Sequence, residues 1–190
     1  MLGLERGDRM NGFIEVQGLL ELEQSEDWDN ARVLLYSLWE NDKDNVNKLC
    51  RVISECWYVL TEWDCCISNK NLSYDDFKNT LINVTEYGLA YFSDNEKFLW
   101  MTGYMISLFP YLFYKDDIDD LYSQWEQRGK EMLLHSNQIA PDNLISKVLY
   151  LGTLNNSDDY LTTKLQLAPL LTNIFQGQTV IEEYFKDILS

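Results

Sequence analysis

Apolar residues recur along this chain every three or four positions, the spacing of one face of an α-helix. The longest such stripe runs through Val46, Leu49, Cys50, Ile53, Cys56, Trp57, Leu60 and Trp63. These positions follow i, i+3, i+4, i+7 over about five turns and predict a core-facing amphipathic helix. A different pattern spans Asp94 to Tyr114. No charged residue occurs between Phe98 and Tyr114, while acids crowd both sides. This stretch predicts a central helix, apolar on nearly all sides, against which the amphipathic helices pack. Asp94 or Asn95 is placed to cap its start. Pro110 ends or kinks it, because proline lacks the N–H and clashes with the preceding turn. A membrane span needs about 20 apolar residues; this run is shorter and is interrupted by Thr102, Gly103 and Ser107, so it reads as a core helix.

The rest of the chain falls into similar units. Ser25 is placed to cap a helix through Trp28, Leu35, Leu38 and Trp39, and Asp42 or Asp44 opens the striped helix that follows. Residues 65–72 form a polar loop, after which Ser73 caps a helix through Phe77, Leu81, Val84 and Tyr91. Asp116 begins another, with Ile118, Leu121, Tyr122, Trp125, Met132 and Leu133 facing inward. Ala140–Pro141–Asp142 restarts the chain as a helix, with proline in the first turn where it is tolerated. Pro169 marks a kink, and Thr179 to Leu189 forms the last helix. Residues 12–23 fit a helix better than a strand, and residues 1–11 read as a loose terminus. Helix starts near Ser25, Ser73, Asp116 and Asp158 recur at about 40–47 residues, the period of HEAT and armadillo helix pairs, yet the units lack matching residues at matching positions. The fold expected is one all-α domain over residues 1–190, an antiparallel array of about eight helices in which HEAT/armadillo-like pairs are a candidate arrangement.

Charge changes the picture more than composition does. Asp and Glu total 31 against 15 Lys and Arg, a formal net charge of −16. Such a field repels nucleic acid and anionic membrane surfaces. It steers a basic protein inward instead, raising on-rates by roughly 10–10³ at low salt. The 4 cysteines, Cys50, Cys56, Cys65 and Cys66, have no CxxC spacing and only one histidine, His135, to help them. Neither a zinc site nor a disulfide framework follows from that set. The opening MLGLERGDRMN has no apolar h-region, which makes a reducing cytoplasm the expected compartment.

Candidate chemistry is sparse. Asp116–Asp117–Ile118–Asp119–Asp120 has the DDxxD form that holds Mg²⁺ for diphosphate in isoprenoid synthases, and carboxylates suit that cation. The motif opens a helix, where acids are favoured by the dipole alone, and no second acidic motif or basic cluster answers it. An Mg-dependent enzyme using Asp116, Asp117 and Asp120 is therefore the weakest of the readings. His135 lies near the end of its helix, where a cation is favoured for the same reason. No GxSxG, P-loop or GxGxxG occurs. Neither a catalytic set nor a cofactor is expected.

Aromatics among acids point elsewhere. Trp28 lies within Glu26–Asp27–Trp28–Asp29, and Tyr74 within Ser73–Tyr74–Asp75–Asp76. Each ring either folds back over its helix start as a staple or stands out as an anchor inside a carboxylate frame, which a basic partner would accept. The candidate partner-binding residues are thus Glu26, Asp27, Trp28, Asp29, Tyr74, Asp75, Asp76, Asp116, Asp117, Asp119 and Asp120.

With acidic clusters SEDWD (25–29), YKDDIDD (114–120) and NSDDY (156–160) on an aromatic-rich helical frame, the whole chain resembles the bacterial immunity proteins of contact-dependent growth inhibition and other polymorphic toxin systems. The resemblance implies a non-catalytic cytoplasmic protein. Its partner would be the C-terminal domain of a basic cognate toxin, often a nuclease, masked stoichiometrically. No nucleic acid or membrane would be bound directly. The other binding-class reading is a helical-repeat adaptor for a basic protein or peptide.

Overall fold

The computed structural model describes residues 12–63, 65, 72–115, 120–154, 157–176 and 178–190. These form α1 (Leu19–Gln24), α2 (Trp28–Glu40), α3 (Val46–Thr61), α4 (Tyr74–Tyr91), α5 (Glu96–Leu108), α6 (Leu121–Ile139), α7 (Leu144–Gly152), α8 (Ser157–Leu167), α9 (Leu171–Ile174) and α10 (Val180–Leu189), with 3₁₀ turns at Pro110–Leu112 and Ala168–Leu170. The protein is all-α, and the described residues contain no strand.

A small repeated device starts α3, α5 and α7. In Asp44–Asn45, Asp94–Asn95 and Asp142–Asn143 the asparagine N–H donates to the carbonyl three residues back, on Asp42, Phe92 and Ala140. Its side chain then caps the new helix. Asn45 accepts from Asn47 and Lys48 N–H, Asn95 from Phe98 N–H, and Asn143 from Ile145 and Ser146 N–H. These caps fall about 50 residues apart, slightly beyond the HEAT and armadillo period. Matching residues at matching positions therefore do exist, in the turns rather than in the core. The cap of α3 is Asn45, not Asp42 or Asp44, and Pro141 lies in the turn before α7 rather than inside it.

The helices stack in layers. α3, α5 and α7 lie side by side and are tied together at their starts. Lys97 Nζ donates to Asn47 Oδ1 at 2.6 Å, and Asn143 Nδ2 donates to Glu96 Oε1. α2 and α4 pack on α3, and α6 on α5 and α7. Gly103 and Gly129 let α5 and α6 approach closely: a Cβ on Gly129 would sit 2.7 Å from the Gly103 carbonyl oxygen. A third group closes the remaining side of α3 and α5. Phe185 of α10 packs on Trp100, Phe13 and Phe175, with ring centroids 5.5, 5.7 and 5.9 Å away. Tyr184 meets Tyr104 through their hydroxyls at 2.8 Å. In an open solenoid each repeat touches only its neighbours; here the last helix returns to the first repeat, and the array is closed.

α3 is accordingly the most enclosed helix, buried without a break from Leu49 to Trp57. α5, the central helix expected from the sequence, is shorter than the apolar run; Asn95 caps it, and Pro110 opens a 3₁₀ turn. Residues 13–16 belong to no helix, and α1 begins only after Gly18, whose φ of 82° is the left-handed turn glycine permits. Ser25 does not cap α2. Its hydroxyl donates back to the Glu21 carbonyl at 2.8 Å, and Asp27 occupies the start of α2.

Candidate acidic interface

The up-and-down course of the chain brings the starts of α2, α4 and α6 to one end. Trp28, the first residue of α2, packs on Tyr58 near the end of α3, with centroids 6.0 Å apart. Trp63, just beyond α3, meets Tyr74, the first residue of α4, edge-on at 5.3 Å. Phe109, after α5, packs on Trp57 at 5.8 Å, and Phe113 stacks on Trp125 in the second turn of α6. These contacts place Glu26, Asp27, Asp29, Asp75, Asp76 and Asp120 around the same end. Asp27 is half-buried and the others are exposed. α8 packs back on α7 and begins with Asp158 and Asp159 in its first turn.

Each helix start contributes roughly +0.5 of partial charge, which the nearest acid offsets. Ser73 caps α4 by accepting from Asp76 N–H, leaving both Asp75 and Asp76 carboxylates directed to solvent. Arg32 is the cation that joins two of the clusters. Its guanidinium lies 5.3 Å from the Phe77 ring centroid, donates to Thr80 Oγ1 on α4, and pairs with Asp29 Oδ1 at 2.6 Å on α2. Asp29 is thus partly neutralised, whereas Glu26, Asp75, Asp76 and Asp120 have no ion pair with Lys, Arg or His among the described residues.

The aromatic members need correction. Trp28 is only 5% exposed, because the first position of α2 turns inward against α3; it is a core residue and no surface anchor. Tyr74 is half-buried against Trp63. Tyr122, expected inward, is exposed instead: it is in register with Trp125 and Gly129 but stands in the first turn of α6, ahead of the buried positions Gly129, Met132 and Leu133. Tyr122 and Tyr111 are exposed aromatic rings, which the sequence reading missed. Periodicity puts Tyr122 on the face of Trp125 and Gly129, since i, i+3 neighbours share one side of a helix, so its exposure has no signal in the sequence. Asp116, Asp117 and Asp119 lie outside the described residues.

A second charged group is wholly internal. Arg51 on α3 is 0% exposed. It pairs with Glu23 of α1 and, at 2.8 Å, with Glu55 one turn along α3. Glu23 also accepts from Val180 N–H at the start of α10, and the Phe13 ring lies 5.6 Å from the guanidinium. Burial, and then the negative charge of Glu55, push the Glu23 carboxyl up to about 7, against the pull of Arg51. Burial raises Glu55 as well. The cluster ties α1, α3 and α10 together.

The other chemistry-bearing residues are structural. Cys50 and Cys56 are buried, and burial raises both thiols, Cys50 to about 12, far from a nucleophile. His135 contacts Asp94 Oδ1 through Nε2 at 2.9 Å near the end of α6. Among the described residues no three His, Cys, Asp or Glu side chains stand together as metal ligands, and no helix is long and apolar enough to cross a membrane.

These features define a closed all-α array whose acidic helix starts converge at one end. The chain matches no protein-family model, no curated protein and no solved structure.

Proposed function

We propose that this protein is a non-catalytic binding protein whose acidic end masks a basic macromolecular partner, in the manner of an immunity protein that neutralises a cognate toxin domain. The observation that supports this reading is the convergence of Glu26, Asp27, Asp29, Asp75, Asp76 and Asp120 at the common start of α2, α4 and α6. Carboxylates so placed take the positions that phosphates would occupy on Lys and Arg of a nuclease. Tyr111 and Tyr122 supply exposed rings for the slow step of dissociation. Binding would occur in the cytoplasm, one to one, and would weaken steeply with salt.

The repeated Asp–Asn turns favour a second reading, a helical-repeat adaptor. Such scaffolds bind along the face of their inner helices. Here α10 and residues 13–16 cover α3 and α5, which favours binding at the acidic end instead.

Growth protection tests the proposal directly. The chain is co-expressed with each of a panel of basic toxin domains, and survival is scored. Wild type should rescue cells from one of them, and the Glu26→Lys, Asp75→Lys, Asp76→Lys variant should lose rescue while keeping its helical circular dichroism. Rescue undiminished in that variant would place binding away from this end.

A further inference from the structure

α8 carries leucines on both faces: Leu167 is buried in the core at 1% exposed, while two others face outward. Thr163 is 3% exposed, with its hydroxyl donating to the Asp159 carbonyl, whereas Leu161 is 55% and Leu165 76% exposed. Asp158, Leu161 and Leu165 follow i, i+3, i+7, so the acid and both leucines share one outward stripe. Leu154 before the helix and Leu170 after it are also exposed. Isolated exposed leucines are ordinary, but a run of them along one helix marks a binding surface.

We infer that the α8 stripe receives an amphipathic helix of a cationic partner, with leucine-type anchors on its apolar face and Lys or Arg along its flanks. Charge decides between occupants. A second copy of this chain would bring another net charge of −16 against Asp158 and Asp159, and like charges across an interface cost several kcal/mol. A basic helix satisfies both the leucines and the acids. The inference rests on the reading above that the partner is cationic, and it assigns the apolar part of the contact.

Three synthetic helical peptides of about 18 residues, five turns, test it against the full chain carrying ¹³C-labelled leucine methyls. One has a leucine face flanked by lysines, one has the same lysines with serines, and one has the leucines flanked by glutamates. The Leu/Lys peptide should bind one to one and shift the Leu161 and Leu165 methyl signals. Leu161→Ser with Leu165→Ser should weaken it at least about tenfold without changing the circular dichroism. The Lys/Ser peptide should bind more weakly and ignore those substitutions. Unmoved Leu161 and Leu165 signals, equal binding of the Leu/Glu peptide, or self-association through this stripe would each overturn the inference. If the Lys/Ser peptide fails to bind as well, the cationic-partner reading falls with it; if that peptide binds while the leucine signals stay still, only the α8 assignment falls.

Discussion

Arg51 and Glu23 form an ion pair inside the protein, joining the middle of α3 to the short N-terminal helix α1 with neither side chain reaching solvent. Glu55 shares the same guanidinium. With both carboxylates ionised the group carries one uncompensated negative charge in an apolar setting, among Phe13, Phe185 and the buried residues of α3. Removing that charge with a proton favours the fold.

Stability should therefore fall as pH rises through this group. Below about pH 4.5 Glu23 is protonated in the folded and unfolded chains alike, whereas from there to about 7 only the folded chain keeps the proton. The unfolded state then binds fewer protons, so the unfolding free energy decreases with pH over that window. A shift from 4.5 to about 7 corresponds to a loss on the order of 3 kcal/mol. Urea titrations at pH 5 and pH 7.5 should give a lower midpoint at pH 7.5, and Glu23→Gln should flatten much of the difference. An unchanged slope in Glu23→Gln would assign the pH dependence to the surface charge instead.

Arg51→Met isolates the other partner. It leaves Glu23 and Glu55 buried without their cation, a change that typically costs about 3–5 kcal/mol. Adding Glu23→Gln and Glu55→Gln removes the stranded charges and should recover most of the loss. A triple variant no more stable than Arg51→Met would show that the guanidinium acts through packing against Phe13 rather than through charge.

How much of this was legible beforehand depended on the range of the cause. The stripe from Val46 to Trp63 is a local pattern, and α3 follows it. The asparagine caps were harder, because Asp44–Asn45 and Asp94–Asn95 offer adjacent residues of nearly equal capping power. Arg51 and Glu55 lie opposite that stripe, where a charged side chain of an amphipathic helix ordinarily meets solvent. Their burial comes from α10 and residues 13–16, which arrive from opposite ends of the chain. The acids around Trp28 leave both staple and anchor open, because a helix start attracts acids whichever way its first side chain points. The convergence of the acidic starts could not be read from any one of them; it follows from the alternation of helix direction.

The α5–α6 contact makes a sharper test of packing. A methyl on Gly129 would meet the Ser107 backbone nitrogen at 2.6 Å, and backbone cannot rotate away. Gly129→Ala should therefore destabilise by about 1–3 kcal/mol, against the gain of up to about 1 kcal/mol that alanine normally brings to a helix interior. Gly152→Ala is the matched control, since its methyl would lie at ordinary contact distance, 3.5 Å from the Tyr160 ring. Thermal midpoints should move in opposite directions, or Gly152→Ala should not move at all. A stabilised Gly129→Ala would mean that α6 can slide outward freely.

Glu26 connects stability with the candidate interface. Its φ of 55° is left-handed, a conformation that costs a side-chain-bearing residue about 1 kcal/mol relative to glycine. Asp120, at the start of α6, has the same kind of backbone at φ 72°, though aspartate tolerates it better than glutamate does. Both are acids at the end where the helix starts converge. Glu26→Gly should raise stability by about 1 kcal/mol, while Asp120→Gly should gain less. If the strained glutamate is kept for its carboxylate, the more stable Glu26→Gly protein should also bind a basic partner more weakly at low salt. Weaker binding together with a higher melting temperature would separate the use of this residue from its cost to the fold. A gain in stability with binding intact would leave Glu26 as an ordinary strained turn.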